Sequence, residues 1–453
     1  MTDRNLTDGP VWKALMAVSA PMTFGVLAVV SVGLADAYFL GQLGPEPLAA
    51  VGFVYPVTAA ITSLAIGLSA GANAVISQAL GREDDDRAVQ RLALHSMGLG
   101  VALAVAVAIV FALTARDLFA IMGAGEGALG EAMAFAPIWA VSFPFLVGSM
   151  ALNAVFRAHG DGAASAAIMI LSAIFAIGLN PVLIFGWAGI EGMGTAGAAT
   201  ATLIGRLVAV LAAVIYAVRR GYLSLCLSPF KGLVGSVREV VLVGAPAAFS
   251  NAINPAGMAL VTAAVATLGD AAVAGFGAAT RVQTVALVPL LALSAGIGPV
   301  VGQNWGAEQQ DRARRGVAVA WALCLGYGLA VGAVLALLAE PIAGLFADQG
   351  SDALTYAASY LRVVGWSLFG YGMLVTANAA MNARSKPLYS MGLGLGRISL
   401  IYVPGAWIGV TAFGYGGILG AAVAANVLTV AAALWCLSRT GLTPVQGGAL
   451  RLA

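Results

Sequence analysis

The feature that most constrains this chain is a recurrence. Apolar runs long enough to cross about 30 Å of hydrocarbon, roughly 20 residues each, follow one another along almost all of its 453 residues, separated by short polar or Gly/Pro breaks. Twelve are counted, near residues 14–41, 48–80, 91–114, 129–157, 163–186, 193–218, 239–267, 271–304, 315–339, 353–382, 388–412 and 418–438. The expected fold is an all-α polytopic membrane protein. Composition agrees: 60% of residues are hydrophobic and 9% charged, against roughly 45–50% and 25% in soluble domains. With 22 basic and 20 acidic side chains, such a particle cannot be covered unless most of its surface faces lipid. A soluble globule and a disordered chain are both excluded. The first run follows Lys13 and contains Ala17-Val18-Ser19-Ala20, which resembles a signal peptide, but its length argues against cleavage.

Net charge is only +2 and the basic residues are scattered, so no nucleic-acid partner is expected. Cys226, Cys324 and Cys436 are isolated and odd in number, supporting neither a disulfide framework nor a metal site. The 58 glycines are read as close helix packing within the membrane.

Lys and Arg set the orientation. With both ends inside, the inner segments hold 17 of the 22 basic residues, from Arg4 and Lys13 through the group Arg312, Arg314 and Arg315 to Arg451, while the outer loops hold only Arg116. Cytoplasmic termini and a plasma (inner) membrane location are expected.

Laying the chain on itself at an offset of 225 places Pro21 on Pro246, Phe24 on Phe249, and Leu68–Ala88 on Leu293–Ala313. Within that stretch Gln78 meets Gln303, Gly81 meets Gly306, Glu83 meets Glu308, and Asp86-Arg87-Ala88 meets Asp311-Arg312-Ala313. Shared alanine content cannot produce such a string of polar matches. The chain is therefore expected to comprise two six-helix parallel repeats: an N-terminal lobe over 1–218, a cytoplasmic joint over 219–238, and a C-terminal lobe over 239–453. Parallel repeats let one half rock against the other around a site near the midplane.

Nearly every acid falls in a loop, at a terminus or at a span end; Asp36, in Gly33-Leu34-Ala35-Asp36-Ala37-Tyr38-Phe39, lies well inside one. An ionised aspartate at depth costs about 3 kcal/mol on insertion scales, so it should face the bundle interior. Its expected role is proton carriage or cation binding, against the simpler alternative of a helix-packing hydrogen bond. Its repeat partner is Val261, so duplication alone does not account for it. Asn180 precedes Pro181, which opens the helix locally. The remaining amides, Asn153 among them, read as helix-packing bonds. Arg206, Arg362 and Arg397 are expected to snorkel, Arg281 to meet carbonyls or an anion, and His95 and His159 to be structural or solvated. No Walker sequence, HExxH or Gly-x-Ser-x-Gly occurs, so neither ATP-driven transport nor an enzyme is expected.

Several segments carry a family resemblance. They are Pro21, Asp36 followed by Phe39-Leu40-Gly41-Gln42-Leu43-Gly44, Ala70-Gly71 through Gly81, Val301-Gly302-Gln303-Asn304-Trp305-Gly306, and Gly197-Ala198-Ala199-Thr200-Ala201-Thr202. In this order, over two repeats, the chain resembles the multidrug and toxic compound extrusion (MATE) family. The resemblance implies antiport, in which cations flow inward while lipophilic, often cationic, organic compounds leave. The acids that mark the NorM-like branch in the second half are replaced by Asn254 and Tyr371, so the chain looks closer to the DinF-like branch, with the first-span aspartate central and a proton rather than sodium as coupling ion. That branch often has Leu-Asp-Pro in the fifth span, where this chain has Leu179-Asn180-Pro181. Asp36 is accordingly expected to work with a polar network of Asn153, Asn180, Thr200 and Thr202, with Tyr38 as a further substrate contact. The expected protein is a monomeric, cofactor-free, proton-coupled exporter in a lipid bilayer; the alternative is a flippase or exporter of a lipid-linked or endogenous metabolite.

Overall fold

A computed structural model of the chain describes residues 6–187, 189–224, 230–346 and 350–444. Arg4, Cys226 and Arg451, which entered the sequence reading, lie outside these residues. The described residues are overwhelmingly helical. Ten single helices are long and apolar enough to cross a membrane, and two bent pairs raise the number of spans to twelve. The spans are Val11–Leu43, Pro45–Gly81, Asp86–Ile121, the pair Glu126–Val141 and Phe143–Ala158, Gly162–Phe185, Thr195–Arg219, Leu233–Ala266, the pair Asp270–Ala286 and Val288–Gly306, Gln310–Leu337, Asp352–Ala383, Pro387–Phe413 and Tyr415–Arg439. Bulky apolar side chains lie open on their outer faces, such as Leu113, Leu337, Leu400 and Phe413. In water such a surface would aggregate; facing acyl chains it is the expected one.

Two runs that read as single spans are broken. The fourth bends by 44° at Ser142 and the eighth by 42° at Leu287. Pro144 and Pro289 stand at the second position of the following helices, where a missing N–H and a ring that clashes with the preceding turn stop the helix from continuing through. The tenth span breaks as well, into a 3-10 turn over Gly365–Ser367. Ser367 is the repeat partner of Ser142 at the offset of 225. Each serine hydroxyl donates to the carbonyl three residues earlier, Ser142 to Trp139 at 2.6 Å and Ser367 to Val364 at 2.8 Å. The eleventh span carries a π-helical stretch over Gly396–Tyr402. One addition to the all-α expectation is a two-residue-strand hairpin, Gly186–Trp187 against Ile190–Glu191, between the fifth and sixth spans.

The backbone reproduces the repeat. Glu83 and Glu308, partners at the offset of 225, both take the left-handed conformation, with φ of 56° and 59°. So do Gly160 at 76° and Ser385 at 58°. Non-glycine residues seldom sit there, so their recurrence at matched positions marks the same tight turn built twice.

Packing divides the chain into two compact units: Pro21–Ala248, and Met1–Ala20 with Phe249–Ala453. The sequence division follows the duplication, whereas this one follows contacts and cuts through the first and seventh spans. Each unit contains two apolar clusters. In the first unit Phe111, Phe119, Trp139 and Phe143 form an aromatic cluster, and a second gathers around Ile76, Leu152 and Phe156. In the second unit one cluster surrounds Val261, Phe276 and Leu361, and another includes Leu15, Val18, Leu290 and Ile297.

Glycine permits the closest approaches. A methyl group on Gly71 would meet the carbonyl oxygen of Val240, and one on its repeat partner Gly296 would meet the hydroxyl of Ser19. Ser19 in turn is the repeat partner of Gly244, which also lies against Gly71. In each unit, therefore, the glycine of a second or eighth span seats the opening stretch of a seventh or first span. The segment before the first span is fastened too: Gln303 Oε1 accepts from the Leu6 amide at 3.0 Å, and Arg312 donates to the Gly9 carbonyl at 2.6 Å.

Candidate functional site

Asp36 lies seven residues from the end of its 33-residue helix and is half-buried. Asn180 is fully buried, and its Nδ2 donates to Asp36 Oδ1 at 2.6 Å. The fifth span presents Asn180 one residue before Pro181, inside Gly162–Phe185. The proline removes the donor that would otherwise reach the Ile177 carbonyl, loosening the turn on which the amide sits. Asn180 Oδ1 is buried and has no hydrogen-bond partner. A buried unsatisfied acceptor is costly, so the amide holds one spare acceptor beside a carboxylate.

Arg206 completes the local charge set. It interacts electrostatically with Asp36; its Nη1 donates to Ser142 Oγ at 2.5 Å, and its guanidinium lies 5.4 Å from the Trp139 ring centroid. Snorkelling was the expectation for Arg206, and the structure corrects it: the side chain is pinned inside the lobe by the broken fourth span. The Ser142 hydroxyl serves both sides, accepting from Arg206 and donating to Trp139. Sequence alone offered no signal for this beyond an arginine in mid-span, since the bend that exposes Ser142 is a tertiary feature.

The other expected members are more dispersed. Asn153 is buried, with its Oδ1 unpartnered. Thr200 donates to the Ala196 carbonyl of its own helix at 2.8 Å, and Thr202 is buried. Tyr38 is 64% exposed, edge-on to Phe39 at 5.4 Å. Asn180 is thus the one expected network member that the described hydrogen bonds join to Asp36. Glu131, read as a span-end acid, accepts from the Thr195 hydroxyl.

Elsewhere, His159 bonds the Val155 carbonyl oxygen through Nδ1 at 2.9 Å and stacks on Tyr222 at 4.0 Å, a structural role. Arg362 pairs with Glu340 at 2.6 Å. Arg281, expected in the interior, is exposed. Arg397, also expected to snorkel, is instead buried against Asn426. No group of three or more metal-ligating side chains occurs among the described residues.

Twelve spans in two like halves, with a carboxylate, an amide and a guanidinium inside one half, define a polytopic membrane transporter. The chain belongs to the MatE family, which it matches over residues 21–182 and 246–408. It is 32% identical to the FAD transporter of Shewanella oneidensis, over 94% of this chain and 95% of that protein. It is 26% identical to the multidrug export protein MepA of Staphylococcus aureus, over 94% and 93%. The Vibrio cholerae MATE transporter VcmN in its bent form superposes with a TM-score of 0.88 at 27% identity, covering 95% of this chain and 96% of that one.

Proposed function

We propose that this exporter is a proton-coupled antiporter of amphiphilic organic compounds working by alternating access, with Asp36 as the coupling group. The observation that carries the proposal is the Asn180 amide: Nδ2 bonded to Asp36 at 2.6 Å, Oδ1 buried and unpaired. When Asp36 is ionised, the amide donates to it. When Asp36 is protonated, its O–H donates to Asn180 Oδ1 after the amide turns over. Each protonation state then has a satisfied hydrogen bond but a different geometry and a different net charge beside Arg206. A proton and a cargo that favour different conformations are thereby linked, each shifting the equilibrium by its difference in affinity between the two. Val261, at the repeat-equivalent position, is fully buried in apolar core and cannot duplicate this role.

A proton is favoured over sodium because every described acid of the second unit is exposed, leaving no described interior carboxylate there to join an oxygen cage. The same observation supports a reading nearer the DinF-like branch. We take it to be a monomeric inner-membrane protein with cytoplasmic termini, in keeping with its Lys/Arg distribution. For cargo, the name of the Shewanella oneidensis relative makes a flavin nucleotide the first compound to test, and that of the MepA relative makes drugs the second. Export of a lipid-linked or endogenous metabolite is the second reading, and the flavin relative favours its metabolite form.

The test is cargo uptake into everted vesicles with an imposed pH gradient, comparing wild type with Asp36→Asn at equal expression. Wild type should accumulate cargo and the variant should not. Undiminished gradient-driven uptake in Asp36→Asn would assign the proton to another group.

A further inference from the structure

The C-terminal unit holds a second buried charge, of opposite sign, that the coupling scheme does not use. Arg397 lies in the π-helical stretch Gly396–Tyr402 and is only 8% exposed. Its Nη2 donates to Asn426 Oδ1 at 3.0 Å, and Asn426 Nδ2 donates to Ser367 Oγ at 2.8 Å. That chain fixes the orientation of the amide and, through it, one edge of the guanidinium. The guanidinium carbon lies over two aromatic rings, 5.0 Å from the Tyr371 centroid and 5.9 Å from that of Tyr402. Arg397 Nε is buried without a hydrogen-bond partner.

Among the described residues no carboxylate pairs with this cation. The described ion pairs do not include Arg397, and all the described acids of this unit are exposed. A buried guanidinium with an unused donor and no counter-charge is costly unless an anion completes it. Guanidinium groups match phosphate and carboxylate geometry, and they stack on aromatic planes. π-helical turns also concentrate at functional sites. Duplication does not account for Arg397, because the offset of 225 pairs it with Ser172. The two lobes thus differ in character: the first carries an acid that its counterpart lacks, and the second a base that its counterpart lacks.

We propose that Arg397, held by Asn426 and flanked by Tyr371 and Tyr402, is a cargo subsite for the acidic group, phosphate or carboxylate, of an aromatic anion. Tyr371 is partly buried and offers the ring against which the aromatic part of such a cargo stacks. This deepens the exporter reading and rests on it: the cargo class becomes anionic aromatics rather than lipophilic cations, with charge recognition in the lobe that does not bind the proton.

The experiment is equilibrium binding to purified protein in phosphatidylcholine nanodiscs, read by flavin fluorescence. Riboflavin and FMN are the probes, since they share a ring and differ by one phosphate. Wild type should bind FMN at least about tenfold more tightly than riboflavin, and Arg397→Gln should bring the two within about twofold of each other. Inorganic pyrophosphate should displace FMN from wild type but not riboflavin, a measurement that needs no variant to fold. Nanodiscs containing phosphatidylglycerol should leave FMN affinity unchanged; competition by that lipid would assign the site to a headgroup instead and overturn the cargo role. Equal affinities for FMN and riboflavin in wild type, or a preserved preference in Arg397→Gln, would also overturn it. Binding requires no gradient. Absence of pH-driven transport in wild type with intact FMN discrimination would sink the proton scheme alone, and pH-driven transport in wild type without that discrimination would sink this subsite alone.

Discussion

If Asp36 is the coupling group, one proton crosses per transport cycle, and that number is measurable. Asp36 is the carboxylate set well inside a span among the described residues, and its partner is a neutral amide where a second acid would double the count. A pH difference of one unit supplies about 1.36 kcal/mol per proton. With voltage clamped at zero by potassium and valinomycin, a one-proton exchanger sustains about a tenfold cargo gradient per pH unit and a two-proton exchanger about a hundredfold. Proteoliposomes loaded at several internal pH values give the slope of log accumulation against pH difference, expected to be about one. Asp36→Asn should flatten the slope to zero without unfolding the protein. The Asn180 contact survives as a neutral hydrogen bond in place of a charge-assisted one, a loss of about 1 kcal/mol, and that loss is offset in part because no charge is then buried. A slope near two in wild type, or an unchanged slope in the variant, would refute the single-carboxylate scheme.

Three further outcomes are expected. Gly71→Ala, which drives a methyl into the Val240 carbonyl, should destabilise the protein by about 1–3 kcal/mol. Gly296→Ala should cost less, because the Ser19 hydroxyl it meets can rotate away, and Gly98→Ala, at a helical position with open space around it, should be neutral or gain up to about 1 kcal/mol; thermal denaturation in detergent gives the order, and equal effects at all three would discount the close approach. External thiol labelling should modify single cysteines placed at Asp270 or Gly350 and spare those at Asp85 or Gly232, the reverse pattern overturning the orientation. Transport under a pH gradient should persist in sodium-free buffer, and saturable restoration by added sodium would replace the proton as coupling ion.

Much of this protein was legible from its sequence, because lipid leaves the chain few choices. Backbone groups in hydrocarbon must be satisfied within the segment, so hydropathy alone announces the helices, and the polar matches between Leu68–Ala88 and Leu293–Ala313 announce the repeat. Asp36 stood out for the same reason: an acid at depth is expensive enough to be conspicuous. Amides and arginines are less conspicuous, because their burial depends on what faces them. The following proline and the Leu-Asn-Pro context set Asn180 apart from Asn153 in the sequence, but only the tertiary structure joined it to Asp36 by a hydrogen bond. The same holds for two of the three arginines read as snorkelling. Arg206 turns inward because the helix breaks at Ser142 and exposes a hydroxyl, and Arg397 because Asn426 and two tyrosine rings surround it. Tertiary packing also drew the unit boundaries through the first and seventh spans, whose opening stretches are seated by Gly296 and Gly71 of the neighbouring eighth and second spans. Hydropathy is a property each segment carries by itself and can be read one segment at a time. A hydrogen bond or a close approach belongs to two segments at once, and which two meet is decided only when the helices pack.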